Sequence, residues 1–325
     1  MKLGIVGSGM IVGDLLAFIH EVKGIELIAI SGTKRSEEKL KTIAQTHYMK
    51  RYYTDYQDLL DDHEVDTIYV ALPNVLHYEH TKKALEAGKH VICEKPFTVT
   101  DEQAKEVIDL AKEKHLFLFE AITNQYLPQY ENIKEHINNL GKIKIIECNF
   151  SQYSSRYDRF LKGDIAPAFD PKQAGGALMD LNIYNIHYIV GLFGKPQDVH
   201  YYPNIDQEID TSGILIMDYK DFKCVCIGAK DTKAPLSSNI EGTKGCITVT
   251  TPVSTIEKYA ITMHDGTTYP VVENRHSRMY PEFAAFERMI SQGQYEACYQ
   301  RLEETYAVMQ VLTKARESGH IVFPI

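Results

Sequence analysis

Between residues 2 and 120 short apolar runs alternate with helix-like stretches, and this alternation limits the fold more than any single motif does. Lys2–Val6, Ile25–Ile30, Thr67–Leu72, His90–Cys93 and Leu116–Glu120 read as strands. The stretch up to about Val22, then Ser36–Tyr48, Asp55–Asp61, His80–Ala87 and residues 101–114 read as helices. The fourth of these closes on Gly88, and the fifth opens on the capping box Thr100-Asp-Glu-Gln103. Strands apolar along their whole length, each followed by a helix, belong to a parallel sheet covered on both faces. Residues 1–122 are therefore expected to form a doubly wound α/β domain.

Beyond residue 122 the pattern changes. A helix over Gln129–Asn139 stops at Gly141, and Lys142–Phe150 is a long strand; residues 151–174 read as a loop. After a helix that begins near Gly175, strands dominate: 197–202, 211–219, 222–228, 245–250 and 257–263. His264-Asp-Gly-Thr267 carries a tight-turn signal. Helices near 281–291 and 297–318 precede a last strand, Ile321–Phe323. Residues 123–325 are expected to form a second α/β domain with a large, mostly antiparallel sheet. A chain of 325 residues suits two cores better than one.

The net charge is −9 and no basic cluster interleaves with aromatics, which argues against a nucleic-acid partner. No apolar run reaches the roughly 18 residues that would span a bilayer, and the glycine-broken start MKLGIVGSGMIVG does not read as a signal peptide. Six scattered cysteines without a CxxC pair are expected to be reduced core thiols of a cytoplasmic protein. No metal-binding spacing is present in the sequence.

Residues 4–9 read GIVGSG, directly after the first strand and opening a helix. Gly7 permits the tight turn, and Gly9 lets a pyrophosphate approach the backbone. The N–H groups of a helix starting at Met10 and Ile11 would meet it there. The third fingerprint position is Val12, which implies a slightly wider spacing of helix and strand. At the end of the second strand, where a carboxylate would hold a ribose 2′-hydroxyl, stands Ser31, followed by Thr33, Lys34 and Arg35. Hydroxyls and cations suit a 2′-phosphate, so NADP(H) is favoured and NAD(H) is the alternative. A solvated basic turn would give the same residues.

A third strand-end motif is ICEKPF, residues 92–97, where Glu94 and Lys95 stand at the carboxyl edge of the sheet before Pro96. Further on, GGALMDLNIYNIH at 175–187 places Asp180, Tyr184 and His187 at i, i+4 and i+7, on one helix face. Met179, Ile183, Ile186 and Val190 line another. One stripe would pack on the sheet, and the other would face a ligand.

Taken in order, GIVGSGM, YVALPNVLH at 69–77, CEKPF at 93–97, EAI at 120–122 and GGALMDLNIYNIH resemble the glucose–fructose oxidoreductase/inositol dehydrogenase/MocA family along the whole chain. EKPFTVTDEQA and FEAITNQYLP resemble most its dimeric dihydrodiol dehydrogenase and D-xylose dehydrogenase branch. The resemblance implies an N-terminal Rossmann domain and a C-terminal α/β domain whose open sheet forms a homodimer interface. It implies Lys95 as the catalytic lysine, Tyr184 as the acid/base and Asp180 as the residue that orients substrate hydroxyls or the lysine. Leu72, Pro73, Asn74 and His77 match the segment near the nicotinamide. Asn182 stands where the family has glycine, which alters the pocket.

The implied chemistry is self-consistent. Hydride exchange at a carbinol carbon requires a proton to join or leave its oxygen. A phenol that titrates near ~10 is drawn toward the working range by an adjacent ammonium. The substrate would be a small sugar, polyol or diol, with Asn182, His187 and Arg156 as further contacts. For His187 a backbone-satisfied core histidine is the competing reading, and for Arg156 a solvated loop cation. The family also contains a non-catalytic dinucleotide-binding repressor and biliverdin reductases. Retention of both Lys95 and Tyr184 separates this chain from the first, and the full Lys–Asp–Tyr set separates it from the second.

Overall fold

The computed structural model describes residues 1–324; Ile325 lies outside the described residues. The chain divides into two compact units, Met1–Ala121 with Met279–Tyr306, and Ile122–Arg278 with Ala307–Ile325. Among the described residues no helix is long and apolar enough to cross a membrane.

In the first unit β1 (Lys2–Val6), α1 (Met10–Phe18), β2 (Glu26–Ser31), α2 (Glu37–Thr46), β3 (Arg51–Tyr53), α3 (Tyr56–Leu60), β4 (Thr67–Val70), α4 (His77–Glu86), β5 (His90–Glu94), α5 (Asp101–Glu113) and β6 (Leu118–Ala121) alternate. The six strands run parallel in the order β3-β2-β1-β4-β5-β6, the doubly wound sheet expected from the alternation. Leu3, Ile5, Ile28, Ile30, Ile68, Val70, Val91 and Ile92 are buried, as strands covered on both faces require. Half of the capping box forms as expected: Thr100 Oγ1 accepts from the Gln103 N–H at 3.3 Å, while Gln103 Oε1 reaches one residue past the N-cap, to the Val99 N–H at 3.1 Å.

The sequence division at residue 122 places everything later in the second domain, but Met279–Tyr306 packs with the first unit. Aromatic side chains explain this. Phe283 meets Tyr69 edge-on at 5.4 Å between centroids, Phe286 stacks on Phe119 at 4.5 Å and Tyr295 on Phe117 at 4.1 Å. Each buried ring contributes roughly 1.5–3 kcal/mol, and Cys298 Sγ donates to the Leu118 carbonyl at 3.2 Å.

The second unit contains α6 (Pro128–His136), β7 (Ile143–Ser151), α7 (Tyr157–Phe160), α8 (Ile183–Phe193), β8 (Asp198–Asp206), β9 (Ile209–Asp218), β10 (Lys223–Ala229), β11 (Ser237–Gly242), β12 (Gly245–Val249) and β13 (Tyr259–Met263). The strands pair in the order β13-β12-β11-β7-β10-β9-β8, antiparallel except for β7 with β10. Of the last helices, α9 (Tyr280–Ser291) belongs to the first unit, and α10 (Tyr295–Ser318) is divided after Tyr306. One face of the sheet is buried through Ile146, Cys148, Leu215, Met217, Cys224, Cys226, Ile240 and Ile247. Five of the six cysteines are buried, and all are free thiols.

Three sequence expectations change. β3 and β11 carry few apolar residues (RYY and SSNIEG) and give little strand signal. Ile321–Phe323 is not a strand. Ile321 and Phe323 are buried and Val322 is exposed, so the alternation is real, but it records packing without a ladder, with the Arg316 guanidinium 5.1 Å over the Phe323 ring. The 151–174 loop contains α7 and short 3-10 turns.

The stretch leading into α8 is fixed by a buried carboxylate. Asp210 Oδ2 accepts from the Leu178 N–H at 2.7 Å and the Tyr201 hydroxyl at 2.8 Å. A Cβ at Gly176, where φ is +106°, would lie 1.9 Å from Asp210 Oδ1, and one at Gly175 would lie 2.7 Å from the Pro167 carbonyl oxygen. The glycine pair is therefore demanded by close approach on both sides. Leu178–Asn182 then forms one π-helical turn instead of the expected α-helical start.

Burial pushes the Asp210 carboxyl up to about 6, above the ordinary value near ~3.9. The folded chain thus holds this proton more tightly than the unfolded chain. Its contribution to stability is full below about pH 4 and is lost as pH rises through 6. Asp210→Asn removes the titration. Urea unfolding between about pH 4 and pH 7 should show the unmodified protein losing about 3 kcal/mol relative to the variant. Parallel stability curves would show that Asp210 does not titrate in this window.

Candidate active site

The phosphate-facing end of the first unit is built from β1, its turn and α1. Gly7 has φ +114°, and a Cβ there would lie 2.1 Å from the Ala71 carbonyl oxygen, so only glycine fits. Gly9 is the N-cap residue of α1, and a Cβ added to it would meet nothing within 4 Å. No side-chain hydrogen bond caps this helix among the described residues. An uncapped helix start with clear space over its glycine suits a pyrophosphate. Met10 is exposed and Ile11 half-buried beside it, while Val12 is packed inside.

At the end of β2 the expected residues separate. Ser31 is buried, and its hydroxyl donates to the Asp55 carbonyl at 3.2 Å, so it braces the strand end. Thr33, Lys34 and Arg35 are exposed, and Lys34 pairs with Glu37 at 2.7 Å. A cation that the sequence reading missed stands nearer the glycine turn: Lys39 Nζ, from α2, donates to the Ser8 carbonyl. Its signal was present in the sequence as one more lysine on the helix after the basic turn, but a surface lysine of α2 looks the same.

Lys95 follows β5 and is half-buried, and the Lys95–Pro96 peptide is cis. Three side chains hold the turn that carries it. Glu120 Oε1 accepts from the Phe97 N–H at 3.1 Å, Cys93 Sγ donates to the Phe97 carbonyl at 3.5 Å, and His77 Nδ1 lies 2.8 Å from the Pro96 carbonyl oxygen. The other ring nitrogen of His77 is 2.8 Å from the Leu72 carbonyl oxygen. The imidazole is fully buried, which lowers its pKa. His77, expected to lie against the nicotinamide, thus turns both ring nitrogens toward backbone carbonyls, donating to one of them when neutral, and sits between the loop after β4 and the turn after β5. Pro73 and Asn74 remain half-buried, whereas Glu94 is buried and accepts from the Tyr69 hydroxyl.

In the second unit the predicted stripe sinks along its length. Asp180 is partly exposed, Tyr184 is 9% exposed and His187 1%. The Tyr184 carbonyl accepts from Asn124 Nδ2 at 2.9 Å, and its ring lies 6.1 Å from that of Phe150. His187, an expected substrate contact, is a core residue. Gln125 Nε2 donates to its carbonyl at 3.1 Å and lies 3.4 Å from its Nδ1. Asn182, also expected at the substrate, is fully buried. Its Nδ2 donates to the Cys226 carbonyl at 3.2 Å, and its Oδ1 accepts from Asn185 at 2.9 Å. The space for this side chain comes from Gly228 on β10, where a Cβ would stand 3.0 Å from that of Asn182. Arg156 is half-buried and occupies the N-cap position of α7 without a side-chain capping bond.

Asp180 has a partner that the sequence reading did not find. Lys230, just beyond β10 and only 2% exposed, donates from Nζ to Asp180 Oδ2 at 2.8 Å. A lysine ending a strand ordinarily reads as a surface cation, and nothing local marks this one as buried.

Comparison with known proteins agrees with this architecture. Residues 1–122 match the model described as "Oxidoreductase family, NAD-binding Rossmann fold" and residues 130–248 match the GFO/IDH/MocA C-terminal domain. The chain is 29% identical to the scyllo-inositol 2-dehydrogenase (NADP(+)) IolU of Bacillus subtilis (strain 168), covering 100% of this chain and 98% of that protein. It is 27% identical to the D-xylose 1-dehydrogenase (NADP(+)) of Hypocrea jecorina, covering 94% and 85%. The trans-1,2-dihydrobenzene-1,2-diol dehydrogenase of Xenopus laevis is 25% identical, covering 99% of each. Among solved structures, KijD10, a 3-ketoreductase from Actinomadura kijaniata in complex with NADP and TDP-benzene, superposes with a TM-score of 0.85 over 98% of this chain and 97% of that one, at 20% identity. At that identity the likeness speaks for the fold. With both of its domains matched in order along the chain, the protein belongs to the GFO/IDH/MocA oxidoreductase family.

Proposed function

We propose that this protein is an NADP(H)-dependent oxidoreductase that moves a hydride between the nicotinamide and a hydroxyl-bearing carbon of a sugar, polyol or trans-diol. The observation that carries the reading is the uncapped start of α1 over Gly9, cleared for an anion at the carboxyl edge of a doubly wound sheet. The named activities of the relatives supply the substrate class and the preference for NADP. When bound, the dinucleotide supplies or takes up the hydride.

The chain's own residues hold the dinucleotide and manage the proton. Gly7, Gly9 and the first N–H groups of α1 meet the pyrophosphate, and Thr33, Arg35, Lys34 and Lys39 form the cationic, hydroxyl-bearing rim that suits a 2′-phosphate. Tyr184 gives its phenolic proton to the oxygen of a carbonyl being reduced and recovers it when an alcohol is oxidised. The Lys95 ammonium favours the phenolate during that exchange. Asp180 accepts a hydrogen bond from a neighbouring substrate hydroxyl, a contact that favours polyhydroxylated molecules.

A homodimer is part of the same proposal. The outward face of the second unit's sheet carries the cross-strand row Tyr202, Ile214, Ile227 and Asn149, and beside it His200, Ile216, Val225 and Glu147. Tyr202 and Ile214 are exposed. An apolar centre with polar ends suits a second copy of the chain. Sedimentation equilibrium should give a dimer for the unmodified protein and a folded monomer for Ile214→Lys/Ile227→Lys. A monomer in both cases would contradict the interface.

Two variants test the chemistry. Tyr184→Phe should lower turnover about 100-fold or more and leave NADPH affinity nearly intact, because it removes only the proton path. Unchanged turnover would remove Tyr184 from the mechanism. Arg35→Ala/Lys39→Ala should reduce the NADPH-over-NADH affinity ratio by about tenfold or more, the scale of a charge-assisted hydrogen bond. An unchanged ratio, measured by fluorescence titration, would place the 2′-phosphate elsewhere.

A further inference from the structure

We propose that Lys230 is a positioning residue for the reaction, and that its buried ammonium fixes the direction in which Asp180 presents its carboxylate to a substrate hydroxyl. The proposal rests on the functional reading above, since it assigns Lys230 a part in that site.

The ammonium is held on every side. Lys230 extends the β10 strand by one residue, with its backbone N–H donating to the Thr211 carbonyl at 2.8 Å. Its side chain runs inward, and Nζ donates to the Ala168 carbonyl at 2.5 Å and to Asp180 Oδ2 at 2.8 Å, and stands 4.2 Å above the centre of the Phe169 ring. A lysine has three N–H donors, and here two oxygens and one aromatic face receive them. An ammonium so fully used has no freedom to rotate away from the carboxylate.

Its partners are fixed in turn. The Ala168 carbonyl also accepts from the Gly176 N–H at 3.1 Å, and the Asp180 N–H donates to the Gly176 carbonyl at 3.1 Å. Lys230 therefore joins the end of β10, the 167–169 turn and the middle of the π-helical turn, where the Asp180 side chain projects. A simple space-filling role does not require this arrangement, because an apolar side chain of the same length would fill the volume with no desolvation penalty. The 2% exposure of the lysine against a 30% exposed carboxylate is the asymmetry expected if the cation is the fixed member and the carboxylate the one that meets a ligand.

A double-mutant cycle on kcat/KM separates positioning from packing. Lys230→Met should lower kcat/KM for the polyol about 10- to 100-fold in the unmodified background, with the KM for NADP+ unchanged. In the Asp180→Asn background the same substitution should cost less than about threefold, because its effect is transmitted through Asp180. Equal losses in the two backgrounds would show a merely structural role and overturn the proposal, as would an unchanged kcat/KM in Lys230→Met. Should Lys230→Met fail to fold, Lys230→Gln, which keeps a donor for Ala168 and discards the charge, carries the same cycle. Absence of turnover by the unmodified protein on any polyol or diol overturns the functional reading and this proposal with it, and is recognised without any variant.

Discussion

The second unit depends on a polar cluster buried where its sheet meets the start of its long helix. Asp210 takes the Leu178 N–H and the Tyr201 hydroxyl, Gly175 and Gly176 give up their side chains to let backbone and carboxylate close in, and Lys230 ties the adjacent turn to Asp180. Such groups are costly to bury singly and specific when satisfied together. The raised protonation range of Asp210 records that cost. The return is one defined direction for the helix that presents Asp180 and Tyr184.

The first unit solves an equivalent problem with different atoms. The turn after β5 must carry Lys95 at the sheet's carboxyl edge, where the peptide backbone has left its ladder. Glu120, Cys93 and His77 replace the missing ladder contacts, and His77 alone spans the exits of two strands. In each unit a residue proposed to touch ligand, Lys95 in the first and Asp180 in the second, is set by neighbours that do not.

Much of the architecture was legible in the sequence because its signals are local. GIVGSG encodes a turn and a helix start within six residues, and buried parallel strands announce themselves as unbroken apolar runs. Spacing along one element was enough to name Asp180 and Tyr184 as candidates, and the structure shows the first partly exposed and the second nearly buried. What could not be read is long-range. Lys230 meets Asp180 across 50 residues, and Asp210 meets Leu178 across 32. Asn182 read as a pocket residue because the glycine that accommodates it, Gly228, lies far along the chain on β10. The π-helical turn covers only five residues, too few for its wider period to stand out from the α-helical pattern that follows it, so it is seen only in the backbone. Ile321–Phe323 shows the converse, an alternation with no strand behind it.

The central claim is that this chain couples a dinucleotide held at the start of α1 to oxidation and reduction at a hydroxyl-bearing carbon. The most direct test follows the absorbance of reduced nicotinamide while the purified protein is mixed with NADP+ or NAD+ and a panel of inositols, aldoses and vicinal diols. The account predicts steady reduction of NADP+ with at least one of them and slower or no reduction of NAD+. Tight binding of NADPH with no turnover on any member of the panel would contradict it, and would describe a dinucleotide-binding protein without catalysis.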